Sequence, residues 1–207
     1  MLESLEITFG VAVLIMSVVA HEVSHGYAAA LQGDPTARMA GRLTLNPIKH
    51  IDPIGSVVVP FISYMMGGFI FGWAKPVPYN PYNLRNQRTG PALVAIAGPA
   101  INLFLALVFG LALRYATELG LASEAFMSIG ALVVYINILL AVFNLIPIPP
   151  LDGSKVLYAI LPTKWLHIAE HMERYSFLFV LLFVFFLWRF ILPIVFFLFS
   201  LITGMAL

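Results

Sequence analysis

Apolar residues fill the stretches 7–31, 91–115 and 125–146 almost without interruption. An α-helix needs about 20 such residues to cross the roughly 30 Å of hydrocarbon in a bilayer, so each stretch predicts a membrane-spanning helix. The first ends at Gly33-Asp34-Pro35, a helix-stopping turn in which Asp34 reads as a turn residue. The third ends where Pro147, Pro149 and Pro150 force extended backbone. Residues 175–207 are almost wholly apolar but are broken by Arg189 and Pro193. They predict either two short spans in a hairpin or one tilted span with an interfacial piece. A further apolar stretch, 54–73, contains Gly55, Pro60, Gly67, Gly68 and Gly72. Its length admits a crossing, and its glycines and proline suit a segment that enters and leaves on one side.

The polar positions lie between these runs. Residues 36–53 carry Arg38, Arg42 and Lys49, and partial alternation over 36–45 predicts a short strand or hairpin near the membrane. Asn46-Pro47 and Asp52-Pro53 read as turns, with His50 and Asp52 as interfacial turn residues, although either type could serve as a metal ligand. Residues 74–89 form a proline-stiffened extended loop whose edge could pair with a peptide. Residues 154–161 predict a short helix, and 162–174 a polar juxtamembrane segment. Charge then bears on topology. If 54–73 re-enters, one side holds Arg38, Arg42, Lys49, Lys75, Arg85, Arg88, Lys155, Lys164 and Arg174. Only Arg114, Arg189 and the acidic N-terminus fall on the other, which satisfies the positive-inside rule. A crossing would split the basic loops, so re-entry is expected.

Composition agrees with this pattern. The 207 residues are 61% hydrophobic and 10% charged, with a mean hydropathy of +0.95; soluble domains are about 45–50% apolar and about 25% charged. The expectation is an all-α polytopic membrane protein forming one domain over residues 1–207, with a three-helix core, a re-entrant or strand-containing insertion and C-terminal helices. A net charge of +1 without a basic tract gives no reason to expect a nucleic-acid partner. No cysteine is present, which rules out disulfides and thiolate ligands. The N-terminus lacks the positive region of a signal peptide, so the first apolar run is expected to stay in the mature protein.

The chemistry sits inside that first run. His21-Glu22-Val23-Ser24-His25 reads H-E-x-x-H. On a helix the two histidines stand one turn apart on one face, where both can bind a single zinc ion at about 2.0–2.1 Å. Glu22, beside the first ligand, is free to take a proton from water at the metal. Zinc brings the pKa of water to about 7, so such a site holds a nucleophile at neutral pH and points to hydrolysis. The competing reading is a chance motif with satisfied core histidines. Ionisable groups in a bilayer helix cost a few kcal/mol unless paired or bound, which favours a functional cluster. Zinc in a catalytic site takes a third protein ligand and keeps one open position. Asp152, one of three aspartates, lies beside Gly153 in the extended stretch and is the best candidate. Asn102, in the second span, reads as a helix-to-helix hydrogen bond.

Together, His21-Glu22-Val23-Ser24-His25, Asn144-Leu145-Ile146-Pro147 and Leu151-Asp152-Gly153 resemble the motifs of the site-2 proteases, which are intramembrane zinc metalloproteases. The resemblance covers about residues 5–160, and Gly98-Pro99 looks like part of that family's middle core helix. It implies one Zn2+ per chain held by His21, His25 and Asp152, with Glu22 activating water and Asn144 holding the substrate backbone near the metal. It implies a membrane-protein substrate with a transmembrane helix, and an integral protein of a prokaryotic cell membrane with its active site toward the cytoplasm. Few residues precede the zinc helix, and there is no room for PDZ or CBS modules, so the chain looks like a minimal branch.

Two features of the sequence admit other readings. His167-Ile168-Ala169-Glu170-His171 reads H-x-x-E-H, an inverted zinc motif. It lies in a polar segment, where it reads as the solvated face of a juxtamembrane helix. The alternative function is a metal-ion transporter or a non-proteolytic metal-binding membrane protein. That alternative needs neither a glutamate beside the first histidine nor a peptide-binding asparagine.

Overall fold

The computed structural model describes residues 2–67, 72–118, 120–162, 165, 171–176 and 188–205. Its long helices are α1 (Leu2–Leu31), α4 (Gly90–Arg114) and α5 (Glu124–Asn144). Among the described residues three helices, taken as Thr8–Leu31, Gly90–Arg114 and Glu124–Asn144, are long and apolar enough to cross a membrane. Two short helices, α2 (Thr36–Met39) and α3 (Val59–Gly67), lie between α1 and α4. After α5 come α6 (Asp152–Ile160) and α7 (Trp188–Thr203), with residues 171–174 also helical. The expectation for 175–187 falls largely outside the described residues.

Helix ends follow the local chemistry. Gly33 adopts a φ of 104°, a left-handed geometry that ends α1 as Asp34 N–H bonds back to Ala29 O at 3.0 Å. The Ser123 hydroxyl accepts the Phe126 N–H and caps α5, with Glu124 in the first turn. Hydrogen bonds set the directions of the bundle. His25 of α1 reaches Val94 near the start of α4, and His21 reaches Asn102, so the two helices are antiparallel. Ser17 and Asn102 both meet Asn137 of α5, and Gly10 lies against Leu132, so α5 runs alongside α1 in the same sense. α7 closes the far side: its Ile191, Val195 and Phe199 pack against Ala106 and Leu113 of α4 and Val134 and Ile138 of α5. Lipid tails are as apolar as leucine, so this contact is stabilised by close packing rather than by escape from water.

No β-strand occurs among the described residues. The strand or hairpin expected over 36–45 is instead the single helical turn α2 followed by turns. Met39 N–H and Ala40 N–H bond Pro35 O and Thr36 O, each at 2.9 Å. Those donors are used locally, and partial alternation cannot make a strand without a partner edge. The 54–73 segment returns to its starting point. A π-helical turn over Ile54–Val58 leads into α3. Trp73 N–H then bonds Gly55 O at 3.0 Å, and the Ser56 hydroxyl bonds Trp73 O at 2.9 Å. Both ends therefore lie on one side, as re-entry requires.

The chain next runs without helix or strand through residues 72–80, a strap laid along α1. It is clamped at both ends. Arg42 donates to Lys75 O at 2.7 Å, while Asp34 accepts Asn80 N–H at 2.7 Å and the Asn83 amide at 2.9 Å. Asp34 also accepts the Thr36 N–H and hydroxyl, so this predicted turn residue is a fully buried anchor. Burial alone would raise its pKa, but the hydrogen bonds from Thr36, Asn83 and Asn80 outweigh it and hold the carboxyl below its usual range.

An unfolded aspartate titrates near pH 3.9. Because the folded value is lower, the contribution of Asp34 is fully present above about pH 4 and is lost as pH falls through the folded pKa. Asp34→Asn leaves buried donors short of an acceptor and should cost about 1–3 kcal/mol at neutral pH. Thermal unfolding in detergent checks this. The Tm gap between wild type and variant should be open at pH 7 and close below pH 4, and a gap that persists in acid would refute the assignment.

Candidate active site

The sequence places His21 and His25 on one face of α1, and the fold presses that face against α4. The imidazoles lie edge to face with centroids 4.6 Å apart. This is possible because α4 carries Gly98, where a Cβ would stand 2.5 Å from both His21 Nε2 and His25 Cε1. Pro99 follows and removes the N–H that would bond the Ala95 carbonyl, in the turn that faces the histidines.

Asp152 reaches the histidines from the other direction. α5 stops at Asn144, and the chain wraps through Leu145–Leu151 before α6 begins at Asp152. Gly153 makes this return possible, because any Cβ there would collide with the backbone carbonyls of Leu145 and Ile146. Asp152 Oδ2 lies 3.0 Å from His21 Nε2 and 3.3 Å from His25 Nε2. His21 is ten residues before the end of α1, so the cluster sits about 15 Å along the helix from that end.

The donor set fits zinc on geometric and chemical grounds. Ligands at about 2.0–2.1 Å in a tetrahedral array stand roughly 3.3 Å apart, close to the separations here. His25 Nδ1 is 2.7 Å from Val94 O, a carbonyl that can only accept. That nitrogen therefore carries the hydrogen, and Nε2 presents a lone pair. His21 Nδ1 is 2.6 Å from Asn102 Oδ1, which assigns the same tautomer. Two nitrogen lone pairs and a carboxylate thus converge on one point, an arrangement that calls for a cation. Glu22 belongs to the same cluster, with a ligating atom within 4.8 Å of those of His21 and His25. Its Oε2, however, accepts the Val77 N–H of the strap at 2.9 Å. Asp152, which faces both Nε2 atoms, is the better third ligand.

A cavity of about 230 Å³ opens onto this cluster. It is lined by His21, Glu22, His25, Asn144 and Asp152, so all five residues singled out in the sequence meet there. Pro76, Val77 and Tyr79 of the strap, Val94 and Ala95 of α4, and Pro150 and Lys155 complete the wall. Asn144 donates one amide hydrogen to Leu140 O at 2.9 Å. Lys155 is ion-paired with Glu173. The other candidates lie apart: His50 bonds Thr44 O, and Asp52 caps the turn at Ile54 and Gly55. His167 and Glu170 are outside the described residues.

Three contributions escaped the sequence reading. Asn102 does bond between helices, as expected, but its partner is a candidate ligand. Gly98 reads in the sequence as part of the middle core helix, with nothing to mark its contact with both histidines. Val77 carries the one N–H between Pro76 and Pro78, a signal visible in the sequence but meaningful only once the strap lies over Glu22.

Comparison with known proteins bears on the family of this chain. Residues 116–187, which include Asn144 and Asp152, match the model for peptidase family M50. The chain is 39% identical over 185 residues to a Bacillus subtilis protein named "Putative zinc metalloprotease YwhC", covering 84% of this chain and 79% of that one. It is 33% identical over 144 residues to "Putative zinc metalloprotease Rip2" of Mycolicibacterium smegmatis, covering 69% of this chain and 53% of that one. No solved structure matches it. With a relative aligned over most of both chains and the paired motifs meeting in one cluster, the chain belongs to peptidase family M50, the site-2 protease family.

Proposed function

We propose that this protein is a zinc-dependent intramembrane endopeptidase that hydrolyses peptide bonds within or near the transmembrane segments of membrane-protein substrates. The observation that carries the reading is the convergence of His21 Nε2, His25 Nε2 and Asp152 Oδ2, with Glu22 adjacent, inside a bundle of membrane-length helices. One Zn2+ per chain bound there supplies Lewis acidity toward water and the scissile carbonyl. Glu22 takes the proton from the attacking water and returns it to the leaving amine nitrogen. Asn144 orients the substrate backbone beside the ligands. The substrate helix unwinds to expose its peptide bonds and lies along the strap, whose Pro76, Val77 and Tyr79 line the cavity. The strap takes this role alone, because 36–45 offers no strand edge. The bacterial relatives support a prokaryotic cell-membrane protein, and the charge distribution supports this site toward the cytoplasm.

The reading is tested by zinc content and cleavage of a model transmembrane substrate, measured together on purified protein. Wild type should carry about one zinc per chain. His21→Ala and Asp152→Ala should lose affinity by more than the 10–100-fold typical of losing an outer-shell partner, and should lose cleavage. Undiminished zinc in both variants would place the metal elsewhere and overturn the reading.

A further inference from the structure

Three polar side chains lie in the middle of the bundle, away from the cavity. Ser17, Asn102 and Asn137 come from α1, α4 and α5, and all are buried. Polar groups at membrane depth are expensive unless bonded, and these form a closed set. Asn137 Nδ2 donates to Val133 O and to the Ser17 hydroxyl, each at 2.9 Å. Asn102 Nδ2 donates to Asn137 Oδ1 at 2.8 Å and to Ser17 O at 3.3 Å. Asn102 Oδ1 then meets His21 Nδ1.

The polarity of this chain is determined from one end. The Val133 carbonyl can only accept, so the Asn137 group facing it is the amide NH2. Its Oδ1 therefore faces Asn102 and must receive an N–H. That turns the Asn102 amide nitrogen toward α5 and its oxygen toward His21. His21 Nδ1 must carry the hydrogen, leaving Nε2 with the lone pair that points at Asp152.

We propose that Asn137 is a positioning residue for the metal centre: through Asn102, it sets the tautomer and orientation of His21 from the neighbouring helix. This rests on His21 being a zinc ligand, as proposed above. The consequence is that α5 controls two ligands. It leads directly into Asp152 and, through Asn137 and Asn102, keys His21 on α1. Docking of all three helices and readiness of the donor set are then one event.

The test uses purified full-length protein with two readouts. One is zinc affinity by chelator competition, and the other is the imidazole nitrogen-15 signal of His21 in zinc-free protein. Wild-type His21 should carry a hydrogen on Nδ1, bonded to Asn102, and an Nδ1 without a hydrogen would overturn the proposal without any variant. Asn102→Leu removes the acceptor and should weaken zinc binding by about 10–100-fold. Asn137→Leu frees the Asn102 amide to rotate and should weaken zinc binding by about tenfold, with His21 becoming a mixture of tautomers. Asn137→Asp, kept neutral by its burial, holds an acceptor oxygen toward Asn102 and a hydroxyl donor toward Val133 O, and should restore both readouts to near wild type. A merely structural role predicts that Asp and Leu at 137 are equally damaging, with the His21 tautomer unmoved. That outcome, or unchanged affinity in Asn137→Leu, would overturn the proposal. His21→Ala separates the two readings: zinc retained there defeats the ligand assignment, whereas zinc lost there but kept in Asn137→Leu defeats only the relay.

Discussion

Glu22→Gln protein is expected to keep its zinc and lose cleavage by about 10²–10⁴-fold, the usual contribution of a general base. The substitution is nearly isosteric and leaves the three convergent donor atoms in place. A glutamine oxygen still accepts the Val77 N–H that Glu22 Oε2 receives at 2.9 Å, so the strap should remain seated. What the amide cannot do is take a proton from water and deliver it to the departing amine. The expected loss corresponds to about 3–5 kcal/mol of activation free energy. The same variant separates hydrolysis from metal transport, because a transporter needs no general base and its flux would survive. Metal content and cleavage of a transmembrane substrate, measured on the same preparation, decide the matter. Cleavage within a few-fold of wild type would remove Glu22 from the chemistry.

Gly98→Ala should damage the site from the opposite side. The added methyl would stand 2.5 Å from His21 Nε2 and His25 Cε1, well inside van der Waals contact. Neither imidazole can swing away without losing its Nδ1 partner, Asn102 for His21 and Val94 for His25. The alternative is for α4 to retreat, but α4 is wedged between α1, α5, α6 and α7. Zinc affinity should therefore fall by more than the 10–100-fold expected for an outer-shell change, and cleavage with it. Gly10→Ala is the control, since its Cβ would meet only Leu132 Cδ2 at 3.7 Å, an ordinary contact. Normal zinc binding in Gly98→Ala would mean that the histidines do not pack on α4 as described.

The two variants probe different kinds of information. The H-E-x-x-H spacing is local: on any helix it sets two imidazoles on one face and places Glu22 next to them. The three spans are local too, because about 20 apolar residues in a row satisfy the bilayer whatever their neighbours do. The meeting of the two ends of 54–73 was also accessible, since charge counting integrates over the whole chain. The 36–45 stretch was misread because alternation does not say whether a partner edge exists, and here the backbone donors closed a helical turn instead.

The sequence by itself thus determined the membrane class, the helical spans, and the candidate residues His21, Glu22, His25, Asn144 and Asp152. The tertiary structure decided how they meet. It brought Asp152 to the histidines across 131 positions of sequence separation, gave Glu22 a backbone partner in the strap, and made Asn102 the hydrogen-bond acceptor for His21. It also showed why Gly98 must lack a side chain. The reason is physical: periodicity and composition report what each segment needs from its solvent, whereas ligand convergence, tautomer and close approach depend on pairs of atoms brought together only when the helices dock.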